Sequence, residues 1–426
     1  MGETAAQVAC YLASLIEDGA TLQVGLGRIP NEALRHLTDR RDIGIHSDVV
    51  TDGVLDLMAL GVVTGRRKRH LPGRVVGSYA LGTRRLYDAI DGNPAFALLP
   101  IQDVCDPAVI ARNPNVVSVT QAFAVDLTGQ VCVDQDKGVL YGGISTQAGF
   151  LRGAARSPGG KPVICLASLA KDGATSRIKA ALGPGEAAGI ARSDVHYVMT
   201  DWGIAYLFGK SLREREIAMI EIAHPNYREG LLAQAKALGL VTKQDYVMSR
   251  AAYPVHEERL VTLKGGAAVL LRPSRATDAP GLQSLFYRMT DHDRYTRFFR
   301  RMKSLPFTEL QALCNVDHAM QVAFLAVTGP RENEQVVGSG CYFVNPSTNL
   351  AEIAFIVAPE WQGTGVGSAL QTRLEEYGRS RGLRGFTAEI LLGNKRMMNL
   401  ARRANGSVTT VADGGEVSLK ILFEDR

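Results

Sequence analysis

The sequence predicts two successive folds: an α/β segment built on a mostly parallel sheet, then a shorter α+β segment with a mixed sheet. From Thr21 to about Leu240, short apolar runs alternate with helical patterns and glycine-rich turns, as in layered strand–helix units. From residue 267 to 426, strand-like runs stand next to one another before a strand–helix–strand crossover. Residues 241–266 carry little periodicity and close on Gly265-Gly266, which reads as a link. The expected organisation is therefore residues 1–240, a link over 241–266, and residues 267–426.

In the first segment "TLQVGLG", "DIGIHS", "NVVSVT", "KPVICLAS" and "VHYVMT" are the expected strands, and "LREREIAMIEIAHPNYREGLLAQAKALGL" reads as helices broken at Pro225. In the second, "AAVLLRPS" is a strand, and "DAPGLQSLFYRM" and "PFTELQALCN" are helices. Three strands follow in "QVAFLAVTG", "QVVGSGCYFVNP" and "AEIAFIVAP". The helix "GVGSALQTRLEEYGRSRG" sets Val366, Leu370, Leu374 and Tyr377 on one stripe. The strand "GFTAEILL", the helix "NKRMMNLARRAN" and the strand "EVSLKILFE" close the chain.

Composition narrows the function classes. With 46% apolar and 21% charged residues among 426, the chain has an ordinary soluble balance, and no apolar run reaches the ~18 residues of a membrane span. The N-terminus lacks a basic region followed by an apolar one, which argues against a signal peptide. Six cysteines lie far apart without a CxxC pair, so no metal is expected and a reduced, cytoplasmic setting is. A net charge of +5 suits anionic small molecules and does not call for nucleic acid. The basic run "GRRKRH" at 65–70 reads as a solvated loop. "RYTRFFRRMK" at 294–303 reads as a helix burying Tyr295, Phe298 and Phe299 on one face.

Between a strand and a helix stands Gln362-Gly363-Thr364-Gly365-Val366-Gly367. Glycines let a ligand approach the backbone, and free amides at a helix start favour an anion such as a pyrophosphate. The turn does not complete G-x-G-x-x-G. It does match Q/R-x-x-G-x-G/A, and from 267 to 426 the order of elements resembles the GNAT-fold N-acetyltransferases. That resemblance implies that amides from Gln362 to Gly367 hold the pyrophosphate of coenzyme A, with acetyl-CoA as substrate. It also implies that a splayed strand around Ile356 and Val357 pairs with pantetheine, and it matches Asn394 to that family's helix-opening asparagine. Ala401 occupies the family's usual tyrosine position, so the leaving thiolate needs another proton donor, such as water. An ammonium must lose a proton before its amine attacks a thioester, and Glu352 is the expected base. Protein-lysine acetyltransferases resembling this segment use a glutamate at that place, so a protein lysine or small amine is the expected acceptor. The alternative for Glu352 is a solvent-facing carboxylate at a strand start.

In the first segment Gly25-x-Gly27, with Asp48 about 20 positions on, imitates a dinucleotide site, but Pro30 stands where the third glycine belongs. Residues 5–240 instead resemble the acetyl-CoA hydrolase/transferase family of class I CoA-transferases. The similarity lies in "DGATLQVGLGRIPNEAL", "IGIHSDVVTDGVLDLMALGVVTG", "FAVDLTGQV", "FLRGAARSPGGKP", "DGATSRI" and "SLREREIAMIEIAHPNYRE". The resemblance implies acyl-CoA binding, with Asp48 in the position of the family's nucleophilic glutamate. Removing one methylene withdraws the carboxylate by ~1.5 Å, and a 1 Å misplacement can cost ~100-fold. Covalent transfer should be poor, leaving hydrolysis through an activated water or acyl-CoA sensing without turnover. The family's G-x-G-G-Q loop reads "GGISTQAGF" here, retaining Gly143 and Gln147 and replacing glycines with Ser145 and Thr146. His46 reads as a packed strand histidine. The family has two related halves closing around CoA and this chain begins where the second begins, which implies a partner half or a homo-oligomer.

Overall fold

The computed structural model describes residues 2–136, 138–141, 146–242 and 252–423. The chain divides into two compact units, Met1–Lys243 and Gln244–Arg426.

In the first unit the five expected runs become strands β1 (Thr21–Val24), β2 (Gly44–Ile45), β3 (Val116–Gln121), β4 (Lys161–Cys165) and β5 (Tyr197–Thr200), joined by β6 (Gly203–Tyr206). They form one sheet in the order β6-β5-β4-β3-β1-β2. Its pairings are parallel except that between β5 and β6. Nearly every residue of these strands is buried, the polar Gln23, Ser118 and Thr120 included, because a parallel sheet is covered on both faces. The chain leaves β1 toward β2 on one side and later returns to β3 on the other. The carboxyl ends of β1 and β3 therefore flank a point where the strand order reverses, the usual place for a ligand in such sheets. Helix α1 (Gly2–Leu15) precedes the sheet, and α2 (Arg28–Arg35) follows β1 directly. The expected break at Pro225 separates α4 (Leu212–Glu221) from α5 (Pro225–Ala237), while α3 (Gln147–Arg156) leads into β4. Ser211 and Glu214 close a capping box on α4, which satisfies amides that the first turn cannot pair internally.

The second unit holds an eight-stranded mixed sheet. Its strands are β7 (Arg259–Thr262), β8 (Ala268–Pro273), β9 (Gln321–Thr328), β10 (Gln335–Asn345), β11 (Leu350–Val357), β12 (Gly385–Leu391), β13 (Gly406–Asp413) and β14 (Glu416–Phe423). The order is β7-β8-β9-β10-β11-β12-β14-β13, antiparallel except for β11 with β12. Val366, Leu370, Leu374 and Tyr377 on α9 (Val366–Ser380) are all buried at 2% exposure or less, so the stripe read from spacing is the face that packs on the sheet. Near the start of the unit, Arg272 lies buried between Asp278 at 2.7 Å and Glu334 at 2.6 Å. A buried guanidinium needs such compensation.

Several readings change. Strand β7 lies inside the stretch read as a link; it is an exposed edge strand with Leu260 at 75% exposure, so its sequence shows no apolar alternation. Strand β13 pairs with β14 around Gly414-Gly415, a hairpin not anticipated. Helix α7 (Asp291–Phe298) does not bury three aromatics. Phe298 packs on the apolar core, whereas Tyr295 and Phe299 are 42% and 38% exposed. The run at 65–70 is not wholly solvated either. Lys68 is buried, and its ammonium donates to the carbonyls of Ile45 at 2.8 Å and Arg74 at 2.7 Å.

Candidate functional site

In the second unit, β11 and β12 run parallel and pair only at Leu350–Gly385, Ala351–Phe386 and Glu352–Thr387. Beyond Glu352 the two strands part. On its other side β11 stays fully paired with β10 as far as Val357. One edge of Ile353–Val357 is thus left without a strand neighbour, and extended backbone in that state seeks hydrogen-bonding partners. The gap opens into a cavity of about 990 Å³, the size of a small-molecule site.

Several elements supply the walls, the β7–β8 hairpin and β12 among them. Strand β11 contributes Glu352 through Val357, including Ile356 and Val357. The turn before α9 contributes Gln362, Gly363, Gly365 and Gly367. Helix α7 brings Asp293, Thr296 and Arg297, and α10 (Lys395–Ala401) brings Arg396 and Leu400, with Asn394 at its cap. Gly365 caps α9 with φ +108, and Gly363 has φ +80, backbone angles that a side chain at Cβ opposes. No atom lies within 4 Å of where a Cβ on Gly363 would sit. The amides of Val366, Gly367 and Ser368 belong to the first helical turn and have no intrahelical acceptor. Together with the helix dipole they form an anion-binding end.

The individual residues take different parts. The Gln362 amide group donates to the Val357 carbonyl at 3.2 Å, tying the turn to the strand. The Thr364 hydroxyl donates to the Trp361 carbonyl at 2.7 Å, and the Val366 side chain points into the core, so these two offer backbone rather than side chains. Asn394 accepts from the Met397 amide at 3.1 Å and is the N-cap of α10. Ala401 is buried in the apolar core at 1% exposure. Glu352 is exposed to the cavity where the strands part, and among the described residues its carboxylate has no hydrogen-bond or ion-pair partner. Asp293 is engaged by Arg396 at 3.1 Å and by the Thr290 hydroxyl at 2.7 Å. Glu389, on β12 past the divergence, accepts from the Ser418 hydroxyl at 2.9 Å.

The first unit gathers a second group at the carboxyl ends of β1 and β2. The Ser47 hydroxyl lies 3.3 Å from one Asp48 oxygen, and the Thr146 hydroxyl donates to the other at 3.2 Å. Nothing in the spacing of residues 98 apart signalled that second contact; only the loop similarity placed Thr146 near the site. Gln147 opens α3 immediately after Thr146. Gly143 and Ser145 lie outside the described residues. Gly25 follows β1, and a Cβ there would meet the Val119 carbonyl at 3.4 Å. Gly27, at φ +152, has the Gln121 side-chain oxygen 2.5 Å from where its Cβ would be. Its missing side chain therefore admits a neighbour from β3 of the same chain. His46 is buried, with its Nε2–H donating to the Val104 carbonyl at 2.8 Å. Burial pushes its pKa down to about 4, so it is neutral and turned to the backbone. Burial raises the Cys105 thiol, and Asp48 adds to that shift. Among the described residues, no group of three or more His, Cys, Asp or Glu could hold a metal ion, and no helix is long and apolar enough to cross a membrane.

Residues 82–235 match the acetyl-CoA hydrolase/transferase C-terminal domain, and residues 289–406 match the acetyltransferase (GNAT) family. A 4-hydroxybutyrate coenzyme A transferase from Clostridium kluyveri is 41% identical over 236 residues, covering 55% of this chain and 55% of that protein. The crystal structure of RipA from Yersinia pestis is similar at 38% identity and a TM-score of 0.53, covering 56% of this chain and 53% of that one. A thialysine N-epsilon-acetyltransferase from Bos taurus is 29% identical over 101 residues, 23% of this chain and 59% of that protein. The chain spans about half the length of the curated CoA-transferases it matches. It joins a CoA-transferase-type unit to a GNAT-type unit.

Proposed function

We propose that the second unit transfers the acetyl group of acetyl-CoA to a cationic amine, with a protein lysine side chain as the acceptor. The observation that carries this reading is the parting of β11 and β12 directly above the glycine turn. The CoA diphosphate takes the amides from Gly363 to Gly367. Pantetheine, which carries amides of its own, lies along the unpaired edge near Ile356 and Val357, as an added strand would. The thioester then comes to rest near Glu352. Glu352 removes a proton from the ammonium, the freed nitrogen attacks the carbonyl carbon, and the C–S bond breaks. Ala401 has no proton to give, so water carries the nitrogen's second proton to the leaving thiolate. Glu389 gives the lining a further carboxylate besides Glu352, which suits a cationic acceptor, and the thialysine enzyme among the relatives is named for an amine of that kind.

For the first unit we infer acyl-CoA binding with impaired covalent transfer. Asp48 is one methylene shorter than the glutamate it replaces, and hydrolysis is the residual chemistry. An activated water attacks the thioester carbon, Asp48 takes the water's proton, and CoA leaves as thiolate. The Thr146 hydroxyl on Asp48 favours a second reading, because it ties the carboxylate to the protein rather than leaving it to a water. On that reading the unit senses acyl-CoA or binds a partner half and regulates the acetyltransferase. The cysteine pattern and the acetyl-CoA supply fit a cytoplasmic setting.

Glu352→Gln and Asp48→Ala variants, assayed with acetyl-CoA and lysine peptides, test both proposals. Glu352→Gln should lower kcat for peptide acetylation about 100-fold with little change in KM for acetyl-CoA; an unchanged kcat removes the base from the account. Slow thiol release without peptide should disappear in Asp48→Ala if the first unit hydrolyses. Persistence of that release at the wild-type rate contradicts hydrolysis by Asp48.

A further inference from the structure

The hairpin joining β7 to β8 turns at Leu263–Gly266, closed by the Leu263 amide on the Ala267 carbonyl at 2.8 Å and the Gly266 amide on the Leu263 carbonyl at 3.0 Å. Gly265 and Gly266, at φ +111 and +86, supply the backbone angles that so tight a reversal requires. The hairpin ends against the glycine turn. A Leu263 methyl lies 3.9 Å from where a Cβ on Gly365 would sit, and Leu263 is buried at 7% exposure. Lys264 follows at the tip, exposed and lining the same cavity as Gln362, Gly363, Gly365 and Gly367. Among the described residues no carboxylate pairs with it. Its Cα is one peptide step, ~3.8 Å, from that of Leu263, and its four-carbon stem reaches ~6 Å further. An ammonium so tethered covers the space in front of the α9 amides.

We propose that Lys264, carried by a hairpin that precedes the region matching the GNAT family, is a counter-ion to the phosphate groups of coenzyme A. The assignment rests on the reading of the glycine turn as the diphosphate site. The amides supply direction and the lysine supplies a full charge that they lack. The hairpin fixes where that charge stands because Leu263 is packed into the apolar core that also holds Val366. Because Lys264 is distant from the reacting carbonyl in this arrangement, it acts on binding and not on the chemical step.

The test uses the full chain with Lys264→Ala and Lys264→Arg. Acetylation of a lysine peptide is followed against acetyl-CoA concentration, and again with acetyl-dephospho-CoA. Lys264→Ala should raise KM for acetyl-CoA about three- to tenfold, as expected for a charge-assisted contact at a partly exposed site, with kcat unchanged. Lys264→Arg should restore KM. Added salt should weaken the wild type more than Lys264→Ala. An equal loss with the dephospho substrate assigns the contact to the diphosphate, and a loss confined to acetyl-CoA assigns it to the 3′-phosphate; either supports the proposal. An unchanged KM in Lys264→Ala, with the wild type active, overturns it. A wild type that shows no acetyl-CoA dependence overturns the underlying reading instead.

Discussion

The Asp48 carboxylate has a hydroxyl within reach of each oxygen, Ser47 at 3.3 Å and Thr146 at 3.2 Å, whereas Glu352 faces a cavity without such a partner among the described residues. On the proposed function the free Glu352 carboxylate takes the proton, and the engaged Asp48 carboxylate is held in place. Sequence similarity pointed to both residues, but their environments depend on chain segments far away. A third carboxylate drew no notice in the sequence because it sits within "LREREIAMIE". Glu216 on α4 is fully buried, and among the described residues neither of its oxygens has a hydrogen-bond partner. Burial and the charge of Asp126 raise its pKa to about 7. A carboxyl raised in the folded state stays protonated there while the unfolded chain has already ionised. Its contribution is favourable below about pH 4.5 and is lost as pH climbs through about 7. Glu216→Gln should therefore raise Tm by about 3–6 °C at pH 8 and leave it nearly unchanged at pH 4.5. A shift of equal size at both pH values would mean that packing, not ionisation, governs the site.

At the scale of elements, the strands read from apolar runs lie inside the two main sheets, except β2 at the edge of the first, because an apolar run needs neighbours to bury it. Among the elements that escaped reading are two edge strands. Strand β7 has Leu260 at 75% exposure and β13 has Val411 at 68%, so neither carries an apolar face. Helix α7 misled for another reason. Its aromatics suggested a buried stripe, but the helix ends at Phe298 and Phe299 takes the left-handed conformation beyond it, so the three rings do not share one face. The glycine turn was legible because its glycines answer a local demand. Gly365→Ala tests that demand: at φ +108 the methyl group costs about 1–2 kcal/mol and displaces amides from their common direction. KM for acetyl-CoA should rise at least tenfold while the circular dichroism spectrum stays that of the wild type. An unchanged KM would mean that the turn geometry is not used in binding.

At the scale of the molecule, two units with different sheets both carry features suited to a CoA thioester, one at the reversal point of a parallel sheet and one at a split in a mixed sheet. The similarity to CoA-transferases extends over about half of those proteins' length. The second unit has its cavity, its glycine turn and its unpaired strand edge within one compact unit. Bulk titration with acetyl-CoA would not separate the two sites. A crystal structure of the chain grown with CoA would. The account predicts density for a diphosphate on the amides from Gly363 to Gly367, with the pantetheine chain running along Ile353–Val357 toward Glu352. A coenzyme bound elsewhere, with that turn and strand edge unoccupied at saturating ligand, would contradict it.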